Sequence, residues 1–61
     1  KHGSGDARAM LRLHRLAVEY WRADPRQVSF HRTHAYVYAL EVGEWEIVDQ
    51  LYAALAAEGR I

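Results

Sequence analysis

The stretch Val28-Ser29-Phe30-His31-Arg32-Thr33-His34-Ala35-Tyr36-Val37-Tyr38-Ala39-Leu40-Glu41-Val42 admits two readings, and the fold turns on which one wins. With a period of two it is a strand. Val28, Phe30, Tyr36, Tyr38, Leu40 and Val42 share one parity, and Ser29, His31, Thr33 and Glu41 share the other. Arg32 and His34 interrupt the apolar parity in the middle. With a period of 3.6 it is a helix that is apolar nearly all round, as suits a central, buried helix. Periodicity alone does not separate the two.

The residues in front favour helix. Asp24-Pro25-Arg26-Gln27 offers Asp as N-cap, Pro at the first helical position and Gln three residues after the cap. The expectation is an all-α, three-helix domain with helices at about 6–22, 25–42 and 44–58, the last two forming a helical hairpin. The alternative is an α+β domain with residues 28–42 as a strand or β-hairpin.

In the preceding segment Asp6 is placed as N-cap, and no Gly or Pro interrupts residues 6–22. Arg8, Arg12, Arg15, Glu19 and Arg22 fall on one stripe about 80° wide. The remaining arc is apolar: Ala9, Met10, Leu11, Leu13, Leu16, Ala17, Val18, Tyr20 and Trp21, with His14 among them. An arc wider than the ~100° stripe of an ordinary surface helix predicts contacts on two sides.

In the following segment Ile47, Val48, Leu51, Tyr52 and Leu55 share a face, with Trp45 at its margin. Glu46, Asp49, Gln50, Ala53 and Ala57 lie opposite. Glu44 and Glu46 suit the positive end of the helix dipole. Gly59 is placed as a C′ residue, with Ile61 positioned to pack over the cap. Gly43 separates the second and third segments. The run Ala39-Leu40-Glu41-Val42-Gly43-Glu44-Trp45-Glu46, continued by Val48, Leu51, Tyr52 and Leu55, resembles the turn and second helix of tetratricopeptide-type or pentatricopeptide-type hairpins. The resemblance covers about twenty residues and departs from the tetratricopeptide pattern at Tyr36 and Val48, where that family has small residues; it implies a shared way of packing a hairpin.

Sixty-one residues make one domain at most. A chain this short buries only about 60% of its unfolded surface, and small folds usually add a disulfide, a metal or a partner. There is no cysteine, which excludes disulfides and thiolate metal sites. Yet the composition is 51% hydrophobic with seven aromatic residues, which predicts self-association or a larger partner. No apolar run approaches the ~20 residues of a membrane helix, and no signal peptide is visible, so a cytoplasmic chain with no membrane contact is expected. Lys1-His2-Gly3-Ser4-Gly5 reads as a tag remnant or linker, leaving 6–61 as the single helical domain. After it, seven Arg, no Lys and ten Ala suit a GC-rich, bacterial coding genome.

Charge is segregated. Residues 1–32 hold seven of the eight basic side chains and three acids, net +4; residues 33–61 hold Arg60 and five acids, net −4. An apolar centre rimmed by arginines is how a binding patch is built. The expected function is therefore a non-catalytic protein-interaction or oligomerisation module. It would bind itself, as a homo-oligomer such as a homodimer, or a larger protein. The expected partner-binding residues are Arg8, Leu11, Arg12, Arg15, Val18, Trp21 and Arg22, with a possible second interface at Tyr36, Tyr38, Trp45, Glu46 and Asp49. Arg15 and Glu19 are also spaced for an i,i+4 ion pair.

The alternative partner is nucleic acid, with the arginine stripe on phosphates. Helix-turn-helix docking is disfavoured, because the third segment would lead with Glu44, Glu46 and Asp49. His31 and His34 stand i,i+3, but no third ligand follows at a recognisable spacing, so no metal or other cofactor is expected. No hydroxyl has a base and an orienting third group, so no enzyme is expected. His14, among apolar residues, is expected to be a hydrogen-bonded core or interface histidine.

Overall fold

The computed structural model describes residues 4–61, which form three helices: α1, Ser4–Tyr20; α2, Pro25–Val42; and α3, Trp45–Ala57. The described residues contain no strand, so the α+β alternative for 28–42 is corrected to helix throughout. Both ends of α2 are fixed locally. The Asp24 carboxylate accepts the backbone N–H groups of Arg26 and Gln27 at 3.2 and 3.4 Å, and Pro25 occupies the first turn. At the other end Gly43 takes φ 82°, and the N–H groups of Gly43 and Glu44 both reach the Ala39 carbonyl, at 2.9 and 3.1 Å. Between these caps, tertiary packing chooses the period. A strand would have placed Ala35 and Ala39 on the polar face with His31 and Glu41. The helix places both at the centre of the molecule, fully buried.

α1 begins at Ser4, so Asp6 lies in its first turn and is not its cap. Residues 4 and 5, grouped above with a linker, belong to this helix, and residues 1–3 lie outside the described residues. α1 ends at Tyr20, and Trp21, Arg22 and Ala23 form the turn into α2. α3 ends as expected at a left-handed glycine. Gly59 has φ 80°, its N–H reaches the Ala56 carbonyl and the Arg60 N–H reaches that of Leu55, a Schellman arrangement. Ile61 stays exposed.

α2 is the central element. Its backbone approaches both other helices, while α1 and α3 do not approach each other closely. The small side chains of Ala35 and Ala39 allow this approach. Leu11 of α1 and Leu51 of α3 join them in one buried cluster, with Tyr36, Tyr38, Ile47 and Val48 packed around it. The core is thin, and no large side chain among the described residues is completely buried. α2 also differs from the all-round burial expected of it. Phe30, Val37 and Leu40 face outward, because two flanking helices do not cover the whole circumference of a third.

Candidate interaction surface

Because α1 and α3 both lean on α2 without meeting, a groove of about 540 Å³ runs between them. Leu11 and Ile47 lie at its bottom, Leu16 stands at its outer edge, and Arg8, Arg12, Arg15, Glu19 and Glu44 line its sides. Arg8 forms an ion pair with Glu44 across the groove. Arg12 and Arg15 have no ion-pair partner among the described residues, and the Arg15–Glu19 pair that the spacing suggested is not formed.

Four of the expected partner-binding residues, Arg8, Leu11, Arg12 and Arg15, therefore line one groove. Leu11 does so only as floor, being 4% exposed in the core. Val18 is half-buried. Trp21 and Arg22 lie past the helix end, where Trp21 meets Tyr20 edge to face at 5.2 Å. Of the second set, Tyr36 and Tyr38 pack against the core, with Tyr36 near Tyr52 and Tyr38 stacked 5.8 Å from His14. Trp45, Glu46 and Asp49 are exposed on α3.

The structure adds a surface that the sequence reading passed over. Ala7, Leu11, His14 and Val18 face inward, so Ala9, Leu13, Leu16 and Tyr20 fall on the opposite, outward side of α1, within about 60° of one another. Leu13, Leu16 and Tyr20 are 55%, 63% and 79% exposed. Their spacing of four, three and four residues was a visible signal. The width of the arc predicts contacts on two sides, but Leu11 and Val18, expected at the partner surface, face the core and leave the other side to Leu13, Leu16 and Tyr20.

Two polar clusters hold the helices together. His14 is buried between α1 and α2 with its Nδ1 2.9 Å from Nδ1 of His31. One nitrogen must donate and the other accept, so at least one ring is neutral. The His34 ring lies 5.2 Å from His14, and its Nδ1–H donates to the Phe30 carbonyl at 2.8 Å. Burial, then the nearby His31 and His34, lower the pKa of His14 below its usual 6.5. The three rings do not converge as a metal-binding set, and no other described group of three ligand-type side chains does. At the far end of the hairpin, Ser29 donates to Glu58 at 2.6 Å and Arg32 pairs with the same carboxylate. The Glu58 pKa is lowered chiefly by the Ser29 hydrogen bond, with burial opposing and Arg32 and Arg60 assisting.

No known family model matches the sequence, and neither a curated protein nor a solved structure resembling this chain was found. No helix among the described residues is long and apolar enough to cross a membrane.

Proposed function

We propose that the chain is a small, non-catalytic helical module that binds protein through α1, oligomerising or docking on a larger protein. One observation carries the reading: Leu13, Leu16 and Tyr20 stand more than half exposed on the side of α1 away from the core. Arg12 lies beside them and Arg15 further round the same flank. A contiguous apolar patch bordered by polar charge is the usual anatomy of a protein-binding surface. The core supports the same reading, because burial of a few Ala and Leu side chains leaves a 61-residue fold with little stability of its own. Pairing of Arg8 with Glu44 and Arg32 with Glu58 leaves fewer cations for phosphates, which argues for protein over nucleic acid.

The test is a Leu13→Ser, Leu16→Ser double variant. Both side chains are exposed, so the expected stability change is small, within about 0.5 kcal/mol per site. Association, read as weight-average mass in sedimentation, should be lost while helical circular dichroism and melting temperature are kept. Association of undiminished strength in the variant would remove α1 as the binding surface.

A further inference from the structure

We infer that the partner of α1 is the α1 of a second copy of this chain, docked antiparallel about a two-fold axis between residues 14 and 15. This rests on the reading of the chain as a protein-binding module and names its partner. Ala9, Leu13, Leu16 and Tyr20 repeat at the four-three-four spacing of a coiled-coil seam, on the face opposite the core. The seam spans about 17 Å of helix, enough for a modest, concentration-dependent dimer.

The flanks of the seam decide its direction. Arg12 and Glu19 lie on one flank and Met10 and Ala17 on the other, as the helical period requires. In an antiparallel pair, Leu13 faces the partner's Leu16, and Ala9 faces the partner's Tyr20, so a small residue meets a large one in both outer layers. The same register sets Arg12 against the partner's Glu19 at both ends of the interface, about one turn or less apart along the axis. Both side chains are exposed, and neither has an ion-pair partner within its own chain among the described residues. A parallel pair would instead stack Tyr20 on Tyr20 and Ala9 on Ala9, crowding one end and leaving a gap at the other. It would also set Arg12 beside the partner's Ala17. Charge and volume therefore both favour the antiparallel copy.

Charge reversal tests this arrangement with a signature no other geometry shares. R12E sets two carboxylates against each other at each end of the interface, and E19R sets two guanidinium groups there. Each single variant should dimerise roughly tenfold or more weakly than the parent chain, since two exposed ion pairs become two repulsions. An equimolar mixture of R12E and E19R restores opposite charge at both ends. It should form a heterodimer at near-parental strength in sedimentation from ~10 to ~500 µM, and so should the R12E, E19R double variant with itself. A mixture no tighter than the single variants overturns the antiparallel register, as does a parent chain that is monomeric throughout that range. Parental self-association that persists while the mixture fails overturns this inference and leaves the oligomerising module intact. Loss of association in the Leu13→Ser, Leu16→Ser variant would then still place that interface on α1.

Discussion

Between the Nδ1 atoms of His14 and His31, 2.9 Å apart, there is room for one proton. Charging both rings would set two donors against each other in a buried contact, with the His34 ring close by. Because the folded pKa of His14 lies below its usual 6.5, the unfolded chain takes up this proton more readily. The contribution to stability is whole above pH 6.5 and declines as pH falls from there through the folded value. Glu58 gives a second, lower step: its lowered pKa favours folding until pH falls below its usual 4.5 and passes through the folded value. Melting temperature followed from pH 8 down to ~2 should therefore fall in two stages, the first beginning at 6.5 and the second below 4.5. His14→Phe, which keeps a ring against Tyr38, should flatten the first stage alone; an unchanged profile would remove His14 as its source. Glu58→Ala should cost about 1–2 kcal/mol in urea denaturation by stranding the buried Ser29 hydroxyl, and much less in a Ser29→Ala background. Of these contacts, the core role of His14 was legible from its apolar neighbours in sequence. Its meeting with His31 and His34 was not, because that depends on how two helices cross.

At the scale of the elements, the caps carried most of what the sequence disclosed. Asp24-Pro25, Gly43 and Gly59 act within a few residues of themselves, so their chemistry is readable without the fold. Gly43→Ala forces a side chain into φ 82° and should cost about 1–2 kcal/mol by chemical denaturation. The period of residues 28–42 was less legible, since Val28, Tyr36, Tyr38 and Val42 suit a strand as well as a buried helix. What decides it is the pair Ala35 and Ala39, whose small size matters only where other helices cross them. Ala39→Leu should accordingly destabilise the fold by about 1–3 kcal/mol through overpacking. The same substitution at exposed Ala53 of α3 should leave the melting temperature nearly unchanged. The outward seam of α1 was hidden for the complementary reason. Its spacing was in the sequence, but which part of a wide apolar arc faces the core is set by α2 and α3.

In the whole molecule, a net charge of zero conceals a positive first half and a negative second half. Folding cancels part of this within the chain, through Arg8–Glu44 and Arg32–Glu58. Arg12 and Glu19, about two turns apart on one flank of an exposed apolar seam, are left to act between chains. The core alone is small for an independent fold, so association and stability should rise together, with the melting temperature increasing with protein concentration. The most direct test of the central claim is solution mass by sedimentation equilibrium across ~10–500 µM at ~0.05 and ~0.5 M salt. The mass should climb from the 7.1 kDa of one chain toward twice that value with concentration, and the climb should be shallower at the higher salt. A mass fixed at 7.1 kDa under every condition would contradict self-association through α1.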